Sequence, residues 1–374
     1  MTVRGTQNGT PPAVEVRGLA KHYGDVVALT DVNLSIASGE YFALLGPSGG
    51  GKTTLLRTIG GFHRATKGQV LLHGEDVGHL PPDKRPTSMV FQSYALFPHM
   101  NVLNNVGYGL KIAGIGKNER HEKSMAALEM VGLNGYSERK PHELSGGQQQ
   151  RVQLARAMVL ERDVLLLDEP LAALDAQLRK DMCLELKHLQ HKLGMTFIHV
   201  THNQEEAMTV ADRIALIANG KLVEVGPAKD VYRAPRKRFT ASFVGENNIF
   251  DGTVTKVTKN KVSVDVAGIT VIADSDDDSV NVGQSVSLSV RSELVKLSIA
   301  KPKSKSKNEP KAGSFLPASY REAVYLGLTT SHLAQLEGGG EVVSRVVEDM
   351  DSVPEAGTPV VASWNPQDLR LHTA

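Results

Sequence analysis

YFALLGPSGGGKTTLLRTIGGF, residues 41–62, decides the fold. The run YFALL is apolar throughout, which suits a strand buried on both faces of a parallel sheet. TLLRTIGGF then reads as a helical segment. Between them, Gly46-Pro47-Ser48-Gly49-Gly50-Gly51-Lys52-Thr53 fits G-x-x-x-x-G-K-[ST] in the strand–loop–helix setting the pattern requires. Glycines let the backbone wrap a phosphate without Cβ clashes, and successive N–H groups form an anion nest at a helix start. Lys52 supplies a point charge to β- and γ-phosphates, the Thr53 hydroxyl is placed to ligate Mg²⁺, and Thr54 lies next in line for a phosphate.

Further along, Val164-Leu-Leu-Leu-Asp168-Glu169 is four apolar residues ending in two acids. The carboxyl end of a parallel strand faces the ligand crevice. Asp168 is therefore expected in the Mg²⁺ shell and Glu169 beside the attacking water, where a positioned base contributes on the order of 10²–10⁴ in rate. The two motifs together define a P-loop NTPase of α/β class, but not which kind. Leu144-Ser145-Gly146-Gly147-Gln148 opens a third element: Ser145 is a good N-cap, and GGQQQRVQLARAMVL reads as a long helix. Its positive end suits an anion. One phosphate loop already exists, so this second anion site makes sense if it closes over the nucleotide of a second copy.

Residues 14–245 read as α/β, with apolar runs at 41–45, 89–91, 164–167 and 196–200 alternating with helical segments. From 246 to 374 short alternating strands such as KVSVDV (261–266) and SVSLSV (285–290), punctuated by Gly, Asn and Asp, argue a separate all-β domain. Inside it VGQSVSLSVRSELVKL (282–297) can be laid on AGTPVVASWNPQDLRL (356–371) without a gap, by duplication or by chance alternation. The basic, Pro-containing stretch within 301–313 reads as a flexible loop. Lys+Arg 42 against Asp+Glu 41 leaves no bulk field favouring nucleic acid. Cys183, the lone cysteine, reads as a small buried hydrophobe. The N-terminus has no apolar signal region, and no run approaches the roughly 18 apolar residues needed to span a bilayer. A cytoplasmic protein is expected, with any membrane role supplied by partners.

These motifs, in this order, resemble the nucleotide-binding domain of ABC transporters over residues 14–245. The resemblance implies further roles. Tyr23 in KHYGDVVAL matches the aromatic that stacks on adenine, worth roughly 1–3 kcal/mol. Gln92 in MVFQSYALFPHM matches the glutamine that approaches Mg²⁺ and water and senses the permease; Asp175 in LAALD matches the D-loop; His202 in FIHVTHNQEEAM matches the histidine that contacts the γ-phosphate. Alone, Tyr23 would read as a surface aromatic and His202 as a helix-cap histidine. Ala172, where serine is frequent, and Asn203, where aspartate is usual, depart from the pattern.

The second domain resembles the OB-like C-terminal domain of importers for sugars, iron and polyamines. FVGENNIFDGTV (243–254), YREAVYLG (320–327) and SWNPQDLRL (363–371) look most like the polyamine, opine and phosphonate branch. The expectation is a homodimeric importer ATPase, peripheral on the cytoplasmic face of the inner membrane, with two integral-membrane permeases and, indirectly, an extracytoplasmic substrate-binding protein. Polyamine is the expected substrate; aminophosphonate or opine, ferric iron or sugar are the alternatives, and a regulatory ABC ATPase outside transport is the competing class.

Overall fold

The structure, a computed structural model, describes residues 11–93, 95–275, 279–300, 314–347 and 353–373. The loop expected within 301–313 lies outside the described residues. The chain divides into two compact units between Ala228 and Lys229. This division and the expected boundary after residue 245 differ by the short helices Ala228–Arg233 and Arg238–Phe243. Arg291 explains where these go: its buried guanidinium donates to the Val244 and Tyr232 carbonyls and lies 4.0 Å from the Tyr232 ring centroid.

The first unit is built on a six-stranded sheet, ordered Lys221–Pro227, Arg213–Ala218, Tyr41–Leu45, Thr196–Thr201, Val164–Asp168 and Thr87–Val90. All neighbours run parallel except the first pair. Every residue of Tyr41–Leu45, Val164–Asp168 and Thr196–Thr201 is buried, which is why these runs lack polar alternation. Side chains alternate between two cores. Phe42, Leu44, Val164, Leu166, Ile198 and Val200 pack with Leu55, Leu56 and Ile59 of the helix Lys52–Ile59. Tyr41, Leu165, Leu167 and Phe197 face the opposite core, shared with the helices Gly146–Met158 and Ala176–Leu193. Against the first core lies a four-stranded antiparallel sheet ordered Val26–Ile36, Val14–Tyr23, Lys67–Leu72, Glu75–Asp76. Cys183 is buried, and burial pushes its thiol up to about 12.

The second unit has two five-stranded antiparallel sheets around one core, the all-β, OB-like architecture expected. One is ordered Ile269–Asp274, Lys261–Val266, Asn247–Thr258, Ser285–Arg291, Arg370–Thr373; the other Lys296–Ile299, Pro359–Ser363, Phe315–Tyr325, Thr330–Leu336, Glu341–Val346. The echo between 282–297 and 356–371 is a real structural repeat. Both copies run strand, 3₁₀ turn, strand. Gly283 and Gly357 share φ 87°, and their N–H groups donate 2.8 Å to the carbonyls of Val254 and Tyr320. Bulges fall at matching places, between Val254 and Lys256 and between Tyr320 and Glu322. The fifth strands are exchanged: Leu371 pairs with Leu288, while its counterpart Leu297 pairs with Ala362.

Candidate functional site

The site lies where the parallel strands end. Leu45 leads into the glycine loop, and the loop geometry explains its composition. Gly46 has φ +152°, and a Cβ there would stand 2.0 Å from the Ile217 carbonyl oxygen. Gly51, at φ +106°, would meet the Ala28 carbonyl oxygen at 2.8 Å. No side chain caps the helix that follows, so its first N–H groups lack the usual intrahelical or capping partner. Lys52 is buried, and its Nζ donates 2.9 Å to the carbonyls of Gly46 and Pro47. Burial pushes the Lys52 ammonium down, with Glu169 and Asp168 pulling it back up. The Gly50 N–H donates to the Pro47 carbonyl at 3.1 Å, tightening the loop.

Asp168 receives two residues of one helix face. Thr53 Oγ1 donates to Oδ1 at 2.9 Å, and Arg57 donates to Oδ2 at 3.2 Å. Positions 53 and 57 are neighbours at i, i+4. The sequence reading missed Arg57, although that spacing from Thr53 was the available signal. Glu169 follows at φ +46°, a left-handed backbone rare for glutamate, with its N–H on the Val200 carbonyl at 3.1 Å. Two further residues converge on one oxygen of Glu169. Gln92 Nε2 donates to Oε2 at 3.3 Å, and His202 Nδ1 lies 3.3 Å from the same atom.

Behind His202 runs a buried network. Thr201 Oγ1 donates to Glu206 Oε2 at 2.6 Å and accepts from the Asn203 N–H at 2.9 Å. Arg179 Nε stands 3.5 Å from Glu206 Oε1 and also donates from Nη2 to the Leu174 carbonyl at 2.7 Å. His199 Nε2 is 3.6 Å from Glu206, and its Nδ1 is 3.0 Å from the Tyr41 hydroxyl. Burial works against ionising Glu206, yet the facing His199 and Thr201 and the charge of Arg179 together hold its carboxyl below the ordinary range. Asn203 caps the helix Gln204–Val210, accepting from the N–H groups of Glu205 at 2.8 Å and Glu206 at 3.2 Å. Asn and Asp cap equally well, so the departure keeps the cap and drops a charge. Ala172 contributes its backbone N–H to the Glu169 carbonyl at 3.3 Å.

Thus 46–54, Gln92, Asp168, Glu169 and His202 come together in one chain. Three expected elements have local partners instead. Ser145 accepts from the Gln148 N–H while Gln148 Oε1 accepts from the Ser145 N–H, a closed capping box. Asp175 caps Ala176–Leu193 through the Leu178 N–H at 2.9 Å. Tyr23 is half exposed, with His63 edge-on at 5.7 Å and Lys21 4.7 Å over its ring. Among the described residues, no group of three or more His, Cys, Asp or Glu side chains could hold a metal alone. A hydroxyl and a carboxylate at a phosphate loop nevertheless fit Mg²⁺, a hard ion that takes oxygen ligands, keeps waters and shares substrate phosphates.

A P-loop, a strand-end acid pair and a self-capped Leu-Ser-Gly-Gly-Gln helix are the parts of an ABC ATPase, and this chain belongs to the ATP-binding subunits of ABC transporters. The ABC transporter family model matches residues 29–172, and the TOBE domain model matches 288–371. A protein of Roseobacter denitrificans named spermidine/putrescine import ATP-binding protein PotA is 46% identical, covering 88% of each chain. One of the same name from Rubrobacter xylanophilus is 42% identical over 96% of this chain and 93% of its own. Among solved structures, the dimeric ATP-binding cassette MJ0796 in a post-hydrolysis state bound to ADP and Pi is 32% identical. It covers 57% of this chain and 98% of its own with a TM-score of 0.52. No helix among the described residues is long and apolar enough to cross a membrane.

Proposed function

We propose that this chain is the ATP-hydrolysing subunit of an importer for spermidine or putrescine. It acts as a homodimer on two integral-membrane permeases, on the cytoplasmic face of the inner membrane, with substrate delivered by an extracytoplasmic binding protein. The observation that carries the catalytic part is the convergence of Gln92 and His202 on one oxygen of Glu169, beside the Thr53–Asp168 pair.

ATP lies with Tyr23 stacked on adenine and its phosphates on the amides of Gly46, Pro47, Ser48, Gly49, Gly50 and Gly51. Lys52 leaves the Gly46 and Pro47 carbonyls for the β- and γ-phosphate oxygens, and Thr54 bonds a phosphate. Thr53, Asp168 and Gln92 would hold Mg²⁺, which neutralises charge on the phosphate oxygens. Glu169 accepts the proton of a water held with Gln92. The water oxygen bonds to the γ-phosphorus as the bond to the β–γ bridging oxygen breaks, leaving its electron pair on ADP. His202 contacts the γ-phosphate. Ser145, Gly146, Gly147, Gln148 and Asp175 serve the nucleotide of the second subunit. The substrate assignment is supported by the names of the relatives, since the ATPase chain does not itself hold the cargo.

The test is labelled uptake of putrescine, spermidine, an aminophosphonate and maltose by cells with wild-type protein or equally expressed Glu169→Gln. That change should cut ATP hydrolysis by about 10²–10⁴ and abolish polyamine uptake alone. Loss of a different solute keeps the ATPase and overturns the substrate. Near-normal hydrolysis removes Glu169 from the role of base.

A further inference from the structure

The helix Gly146–Met158 does more than present its N-terminus. Gln153, on its inner face, is 1% exposed. Its Nε2 donates to the carbonyls of Phe91 at 2.9 Å and Ser93 at 3.2 Å, the residues on either side of Gln92. Arg156, one turn on at i+3, donates to the Ala95 carbonyl at 2.8 Å and stands 5.6 Å over the Phe97 ring. The alternate carbonyls 91, 93 and 95 are thus all held by one helix face.

Packing does not account for an amide at this position. Gln153 Oε1 has no hydrogen-bond partner, and neither does either polar atom of the neighbouring buried Gln150. Burying an unsatisfied acceptor is unfavourable, and a leucine of similar volume would fill the space without one. What the amide adds is a pair of donor hydrogens directed to the backbone on either side of Gln92.

We propose that Gln153 is a positioning residue for hydrolysis: it fixes the backbone of Gln92 so that the Gln92 amide meets Glu169. The proposal rests on the reading of Gln92 as part of the hydrolytic site. Without the Gln153 donors, the Phe91 and Ser93 carbonyls are no longer tied to the helix, the segment between them can turn, and the Gln92 amide loses its aim on Glu169 Oε2.

The full chain with Gln153→Leu, Gln92→Ala and both changes tests this through steady-state ATP hydrolysis, binding of a fluorescent ATP analogue and thermal melting. Gln153→Leu is expected to lower kcat by roughly 10–100-fold, the scale of a small misplacement, with analogue affinity held within about twofold. The double variant should be no slower than Gln92→Ala, because both changes remove the same interaction. A wild-type rate in folded Gln153→Leu, or losses that multiply in the double variant, overturns the proposal. If Gln153→Leu melts early, Gln153→Ala and its double with Gln92→Ala carry the same comparison. If Gln92→Ala alone hydrolyses normally, the assigned role of Gln92 fails first, and this inference with it.

Discussion

Two helices of the nucleotide-binding unit begin with an anion-ready end, and they treat it in opposite ways. Lys52–Ile59 starts from Gly51, whose missing side chain leaves the first amides uncapped. Gly146–Met158 starts from Ser145, where serine and Gln148 satisfy each other's N–H groups within the chain. An uncapped end costs helix stability, about 0.5–2 kcal/mol on the usual scale of cap loss, unless a ligand occupies it. A self-capped end is stable alone and can be exposed to solvent until something docks. Under the proposed function, the uncapped end serves the chain's own nucleotide and the self-capped end waits for another molecule.

The largest test of this contrast is Lys52→Ala. Removing the cation at the uncapped end should lower hydrolysis by about 10²–10³, the scale for losing one stabilising donor in a transition state, and weaken ATP binding. A rate within a few-fold of wild type would mean that this end is not the phosphate site. Ser145→Arg comes next. It should block hydrolysis while ATP still binds the chain's own loop, read by analogue titration beside turnover; a normal rate would end the case for a sandwich between copies. The smallest effect belongs to a third helix start, Gln204–Val210, with Glu206 in its first turn. Its carboxyl titrates below the ordinary value, so it adds stability above pH of about 4.3, lost as pH falls through the lower folded-state value. Melting between pH 7 and pH 3 should show a shallower acid decline in Glu206→Gln, a matter of a few degrees. Parallel curves would mean that the network does not hold the charge.

What the chain disclosed in advance follows from how local each signal is. The strand Tyr41–Leu45, the loop at 46–53 and the Asp168–Glu169 strand end are contiguous, and buried parallel strands leave unbroken apolar runs. The antiparallel sheet beside them was not anticipated. Its main pair, Val14–Tyr23 and Val26–Ile36, slips register after Val16, Leu19 and Lys21, so period-two alternation is lost in the letters. Gln153 gave no signal because its partners lie 62 and 60 residues away, on a loop with no periodicity of its own. The repeat in the second unit was faint because only alternate, core-facing positions constrain residue type there. In the site, Gln92, Asp168, Glu169 and His202 meet within one chain, whereas Ser145 and Asp175 are engaged in capping their own helices.

The exchanged fifth strands of the second unit have a consequence for how the protein is made. A ribosome delivers the chain from its N-terminus, yet the sheet begun by Asn247–Thr258 is finished by Arg370–Thr373. The earlier half therefore cannot close while the later half is still being synthesised. Translation must pass residue 363 before one sheet has all its strands and residue 373 before the other does, so this unit closes well after the nucleotide-binding unit has been synthesised.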